Sequence, residues 1–526
     1  MLDRLIDEVK QFFDRDSLRL IAATIFVGIM THFLLLTHVI KNADCWQYSN
    51  TYQSGRWEVS IGRWFLPIWD FVRGSLNIPY LTAIFSIIII SVVPIVISKT
   101  LKLNKTVTVL LAITLVVSPY MSIIMTYSYC SDTYSLAFLF AAIGALMLSL
   151  GADEKRNRLI RIGVGAIFIM LSLAIYQIYL GVTCVLLMLK LIREATEEPL
   201  SKKRVTKLMR KLGIYIAGLG LGMGLYSLVT SVVLRVTDLH ANQVYGAFGN
   251  SVVSIIKNIP ARVIYIYQRT YKYFLQTGLV KNRYFRNQII AVFLVFFVVW
   301  VIYSIWQYSM NWQQAIIYIV GIALVPVVAE GVLMASPGDE LSLRLSGPLI
   351  MCLPLLLYLV KWDSVSTPKI LIRGANLFLI LYLWTCFLSA NATYASLITH
   401  YNQEKTYSQQ IVYEIERQDA YYRGMPVCII GTINTDEFGE PSSAYPYAYW
   451  SNSGNIYRGE KSYASASKNW FVFMTDELGV NLNMVGIDTF REIYASEEFK
   501  EMKLFPKEGS VKMIDGVMVV KLSEEQ

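Results

Sequence analysis

Long apolar runs separated by short cationic loops set the frame of this chain. They give eleven candidate spans, at 19–40, 79–98, 106–124, 134–150, 162–175, 176–190, 212–235, 288–308, 314–335, 347–360 and 374–390. A helix crosses a hydrocarbon core with roughly 20 apolar residues. The stretch 162–190 is short for two crossings, yet both of its flanks are cationic. A tight hairpin turning near Tyr176-Gln177 satisfies the charges, and a single span is the rival reading. Two polar residues placed there should face protein rather than lipid.

Two segments depart from this pattern. Over 252–274 apolar residues recur at helical spacing, with Lys257, Arg262, Arg269 and Lys272 interleaved. Such a helix lies in the headgroup plane, and Pro260 should kink it. Beyond about residue 391 the chain turns polar, with short apolar stretches. Residues 403–422 read as a helix and 426–431 as a buried strand ending at a glycine. Two further stretches around Asp515-Gly516 read as a hairpin with a type I′ turn. The expected fold is an α-helical polytopic membrane protein of about 11 transmembrane helices with a small extracytoplasmic α/β domain at the C-terminus. Its parts are an amphipathic cytoplasmic segment at 1–18, a transmembrane domain at 19–390 and the α/β domain at 391–526.

Composition agrees. The 526 residues are 55% hydrophobic and 16% charged, which excludes a disordered chain and an ordinary soluble domain. The mean hydropathy is +0.46. A net charge of +9 is no nucleic-acid signal here, because the cations sit between apolar runs. Lys99, Lys102 and Lys105 mark one such loop, Lys155, Arg156, Arg158 and Arg161 the next, and 190–211 is the most basic of all. By the positive-inside rule these loops and the N-terminus are cytoplasmic. The outer side then collects loops 41–78, 125–133, 236–287 and 336–346 together with everything after 391. The N-terminal run is too long for a cleavable signal peptide. Six scattered cysteines support neither a zinc site nor a disulfide framework. No phosphate-binding glycine loop, dinucleotide fingerprint, serine elbow or zinc-protease motif occurs, and four histidines leave little for a relay.

Chemistry-bearing residues gather on the outer loops. Asp44 is a candidate general base for an acceptor hydroxyl, or a helix cap. Glu58 and Asp70 are competing carboxylates in the same loop, and Glu58 also suits pairing with a neighbouring arginine. Arg56 and Arg63 can bind phosphate through their planar forks, or snorkel at the membrane edge. Trp57, Trp64 and Trp69 suit an interfacial belt, with stacking on a sugar face as the sharper reading. Asp132 follows Tyr127-Ser-Tyr129-Cys-Ser; it can assist the base, hold donor hydroxyls, or open the next helix. Tyr129 is a candidate sugar or acceptor contact. With Asp44, Asp132 would make a minimal two-carboxylate site suited to Mg²⁺ or Mn²⁺, and no metal is assigned on two ligands. Arg344 is the best single candidate for neutralising a lipid phosphate, with pairing to Asp339 or Glu340 as the alternative. Glu330 is either an interior polar residue or one that snorkels outward.

The order of these motifs carries a resemblance. An Asp-bearing first outer loop ends in Gly62-Arg63-Trp64; a Tyr127-to-Asp132 loop, a Tyr176-Gln177 hairpin and an outer C-terminal domain follow. The chain resembles the polytopic bacterial glucosyltransferases of the type II O-antigen, serotype-converting family, within the GT-C class that uses polyprenyl-phosphate sugars. The resemblance implies a GT-C fold in the bacterial plasma membrane. It implies inverting transfer of a sugar, usually glucose, from an undecaprenyl-phosphate-linked donor to a cell-surface glycan. Asp44 matches the family's first-loop catalytic aspartate and Asp132 its second outer-loop acid, although Cys45 stands where many relatives carry an adjacent acid. The implied partners are the lipid-linked donor, the glycan acceptor, the bilayer, and an upstream donor-synthesising transferase and flippase. A transporter or flippase of a lipid-linked glycan is the alternative; no clear internal repeat or broken midplane helix favours it.

Overall fold

The computed structural model describes residues 12–41, 45, 48–155, 157–241, 252–271, 273–274, 286–307, 309–334, 345–359, 369–431 and 463–523. The chain opens with α1 (Arg15–Thr31) and a one-turn continuation α2 (Phe33–Thr37), then two short helices of the first long loop, α3 (Arg56–Ser60) and α4 (Phe65–Val72). The bundle follows: α5 (Pro79–Leu101), α6 (Lys105–Val117), α7 (Pro119–Ile124), α8 (Ser131–Asp153), α9 (Arg158–Leu173), α10 (Leu180–Glu197) and α11 (Lys202–Val236). Its second part is α12 (Val252–Tyr271), α13 (Arg286–Gln307), α14 (Trp312–Ala329), α15 (Cys352–Leu359) and α16 (Lys369–Glu416). Among the described residues every apolar run contains helix. Among the described residues six helices are long and apolar enough to cross a membrane.

The stretch 162–190 is a helix, a turn and a helix: α9 ends at Leu173, a 3₁₀ turn covers Gln177–Tyr179, and α10 begins at Leu180. Both arms pack on α8, most of whose residues are buried. Helix α11 shows how the bundle closes. Its inward face carries Tyr215, Gly218, Gly222, Tyr226 and Thr230, while Ile216, Leu228 and Val232 point outward. Gly218 lies against Leu148 and Gly222 against Ile169. Small residues let helices approach closely where no water drives their association.

The loops sort by end of the bundle. At one end Lys105 meets Asp16, and Asp153 of α8 receives Lys190 and Lys211 from α10 and α11. At the other end the long first loop meets residues 126–134, the 176–177 turn and the far end of α11.

Helix α16 runs without a break through residue 391, so the expected span 374–390 and much of the helix 403–422 form one 48-residue element. It leads into a four-stranded sheet built from β1 (Pro426–Ile430), β2 (Asn483–Met484), β3 (Val511–Ile514) and β4 (Val517–Lys521). The strand order is β2-β1-β4-β3, with β1 parallel to β2 and β4, and β3 antiparallel to β4. Asp515 and Gly516 take φ of 46° and 76°, the left-handed pair that a type I′ turn requires. The two central strands bury both faces. Val427, Ile429, Met518 and Val520 pack under α16 and α17 (Tyr463–Leu478), beside Ile411, Trp470 and Phe473. Cys428, Ile430, Val517 and Val519 pack under α18 (Ile487–Ala495) and α19 (Glu497–Glu501). Strands covered on both faces read as continuous apolar runs, which is the pattern of 426–430.

Candidate active site

The polar centre of the first loop is built by α4. A helix places residues three apart on one face, and Asp70 and Arg73 meet there with Nη2 to Oδ1 at 2.8 Å. Arg73 reaches on to α8, where Nη1 lies 2.6 Å from Asp132 Oδ1. Its Nη2 also donates to the Tyr129 carbonyl at 3.0 Å. The other Asp132 oxygen accepts the Trp69 indole N–H at 2.8 Å. Asp70 Oδ2 accepts the Ser54 backbone N–H at 2.8 Å and its hydroxyl at 2.5 Å. All three charged side chains are buried at or below 1% exposure, so water does not screen the cluster. Burial raises the Asp70 carboxyl above its ordinary value, while Ser54 and Arg73 act against that rise. Asp132 also sits in the first turn of α8, where the helix dipole favours a negative charge. The cap itself is Cys130.

The Gly62-Arg63-Trp64 motif is a second anchored unit. Gly62 has φ +84°, and its carbonyl accepts the Tyr226 hydroxyl at 3.2 Å. Gln177 from the hairpin turn donates to the Ile61 carbonyl at 3.1 Å and to the Tyr226 hydroxyl at 2.9 Å. Trp64 is buried and donates to Thr230 at 3.1 Å, which makes it an anchor onto α11. Arg63 lies over the Tyr176 ring at 4.4 Å and donates to Tyr134 at 3.4 Å; Tyr176 and Tyr134 stack at 4.8 Å. A guanidinium over a ring gains a cation–π attraction while its charge stays in place. Gly62→Ala should cost about 1–2 kcal/mol for a left-handed Cβ, and more because that Cβ meets the Tyr226 hydroxyl. Thermal unfolding of the purified variant measures this, and an unchanged midpoint would refute the docking role.

The remaining candidates separate by exposure. Arg56 is exposed and Trp57 is 49% exposed. Glu58 is buried and reaches back to the Gly55 N–H at 2.8 Å, closing the start of α3, and its other oxygen accepts the Tyr52 hydroxyl at 2.8 Å. Its partners are thus a helix start and a tyrosine rather than an arginine. Tyr129 joins Tyr48 and Tyr52 in a half-buried aromatic cluster, 4.8 and 6.3 Å between centroids. Asp44 and Arg344 lie outside the described residues, as do Asp339 and Glu340. Cys45 and Cys130 are buried thiols, and Cys45 donates to the Thr126 carbonyl at 3.3 Å.

The amphipathic helix α12 runs through Pro260, and one of its cations turns inward. Arg269 pairs with the fully buried Glu330 at 2.8 Å and donates to Ser346 at 3.0 Å. Sequence reasoning passed over Arg73. Its signal was the Asp70-to-Arg73 spacing, three residues apart on a short amphipathic stretch. Among the described residues no group of three or more His, Cys, Asp or Glu side chains is arranged to hold a metal.

Several apolar helices, tied at their ends by ion pairs, define a multi-pass helical membrane protein. The chain belongs to the Glucosyl transferase GtrII family, whose model matches residues 33–359. No curated protein matches it. Among solved structures it is similar to the Archaeoglobus fulgidus oligosaccharyltransferase tethered to an acceptor peptide, with 9% identity, TM-score 0.38, and 83% of this chain and 64% of that chain covered. The same enzyme with Zn and sulfate gives 11% identity, TM-score 0.36, and 81% and 61% coverage. The archaeal oligosaccharyltransferase AglB from that organism, with an inhibitory peptide and a dolichol-phosphate, gives 9%, 0.34, 83% and 64%. The chain thus spans under two thirds of the length of these structures.

Proposed function

We propose that this protein is a GT-C-type hexosyltransferase of the bacterial plasma membrane. It moves a sugar, glucose first among the candidates, from a polyprenyl-phosphate carrier to a cell-surface polysaccharide on the outer face. Family membership over 33–359 carries this reading, because that range encloses the Asp70–Arg73–Asp132 cluster and the anchored Gly62-Arg63-Trp64 motif. The basic loops at the opposite end support a cytoplasmic N-terminus and an outer C-terminal domain.

The chemistry divides among the chain's own groups. Asp44 takes the proton of the acceptor hydroxyl as that oxygen attacks the anomeric carbon, with inversion. Both Asp132 oxygens are engaged, so we assign Asp132 to positioning: it fixes α4 and the first loop on α8. Arg344 and Arg63 stabilise the departing lipid phosphate, as fixed cations do for charge that develops in a transition state. Exposed Arg56 and Trp57 meet the phosphate edge and the incoming glycan. Trp64, Glu58 and Tyr129 shape the floor of that loop.

The test is transfer by purified full-length protein from synthetic polyprenyl-phosphate-glucose to a cell-envelope glycan, with and without a chelator. Glucosylated glycan in both arms is expected. Activity lost on chelation and restored by Mg²⁺ or Mn²⁺ would add a metal to the site. Donor left intact across sugars and acceptors, with lipid-linked glycan moved across vesicles instead, would replace transfer with transport.

A further inference from the structure

The C-terminal unit touches the first loop through two acids in an unfavourable place. Asp476 and Glu477 occupy the last turn of α17, which has no basic residue there to offset the helix's negative end. Their compensation comes from far along the chain. The Asn50 backbone N–H donates to Asp476 Oδ2 at 2.9 Å across 426 residues. Lys41 Nζ lies 3.6 Å from Glu477 Oε1, with the lysine side chain 1% and the glutamate 10% exposed. Tyr401 of α16 donates to the other Glu477 oxygen at 2.7 Å. Lys41 and Asn50 are themselves joined, Nζ to Oδ1 at 2.8 Å. Val39 packs against the same C-terminal core.

The two residues so held bracket one segment. Its middle is tied at Cys45 to the Thr126 carbonyl. Its far end continues into a ladder in which the Asn77 N–H donates to the Asn50 carbonyl at 2.8 Å and Ser128 donates to Asn77 at 2.6 Å. Asp44 stands within this bracket in the sequence, between Lys41 and Asn50.

We propose that Asp476 and Glu477 are positioning residues of the active site. They form a clamp from the C-terminal unit that holds Lys41 and Asn50, the two residues that flank the base in the sequence. This rests on the assignment of Asp44 above. A carboxylate must stand within hydrogen-bond reach of its hydroxyl, and a displacement of about 1 Å can cost about 10²-fold in rate. The clamp gives the outer domain a part in catalysis.

The experiment pairs kinetics with a conformational readout on full-length protein in detergent. Native Cys45 is the reporter: buried now, it should react with a bulky polar maleimide, read by peptide mass spectrometry, once the clamp is cut. Asp476→Asn/Glu477→Gln should label Cys45 about tenfold faster or more, and lower kcat by about 10- to 100-fold with the donor KM unchanged. Lys41→Glu alone should do the same, and Lys41→Glu with Glu477→Lys should restore both, which also shows that the variants fold. Cys45 protection equal to wild type in the cut variants would overturn the clamp. Faster labelling with kcat unmoved would overturn its catalytic role. Failure of the Asp44 assignment is seen separately, as normal transfer by Asp44→Asn with Cys45 still protected.

Discussion

Asp44→Asn should lower sugar transfer by about 10²–10⁴-fold, the range that a positioned general base contributes. The amide keeps the shape of the side chain but cannot take a proton at neutral pH. The loss should fall on kcat rather than on donor affinity, because the acid acts on the acceptor hydroxyl. Membrane insertion and thermal stability should match wild type, since Lys41, Cys45, Asn50, Trp64, Trp69 and Arg73 hold the loop in place by their own contacts. Steady-state kinetics with the synthetic donor and a melting curve measure both. Transfer within a few-fold of wild type would move the base elsewhere; Asp132 is a poor substitute because Arg73 and Trp69 occupy its oxygens.

The largest effect on stability should come from Arg73→Ala, at about 3–5 kcal/mol, the usual cost of removing one partner from a buried ion pair. The arginine stands between Asp70 and Asp132, so its loss leaves two buried carboxylates near one another with no cation. Asp70→Asn in the Arg73→Ala background should recover part of the loss by removing one of those charges. Arg73→Lys should fall between, because an ammonium keeps the charge but lacks the fork that serves Asp70, Asp132 and the Tyr129 carbonyl together. Unfolding monitored by tryptophan fluorescence is a direct readout. A shift under about 1 kcal/mol for Arg73→Ala would show that the cluster is solvated in the folded protein.

Much of the fold was legible because its causes are local. Each apolar run is long enough to decide helix by itself, and charge between runs decides which loops share an end. Asp515-Gly516 fixes its hairpin within a few residues, and the two-sided burial of β1 follows from an unbroken apolar stretch. The join at residue 391 was not legible, because a change from lipid-facing to polar side chains does not interrupt a helix whose hydrogen bonds are internal.

Local pattern specifies the helices, their grouping by charge, the central strands, and a first loop rich in acids, arginines and tryptophans. Packing in three dimensions selects which of those groups meet. Arg63 turns onto Tyr176 while Arg56 faces outward, Trp64 is an anchor while Trp57 is exposed, and Arg269 leaves the interface to neutralise Glu330. Arg73 selects Asp132 from 59 residues away, and Asp476 selects Asn50 from 426. The reason is physical. A helix is specified by neighbours within a few residues, whereas a buried charge takes whichever opposite charge or N–H donor the packed bundle brings within about 3 Å.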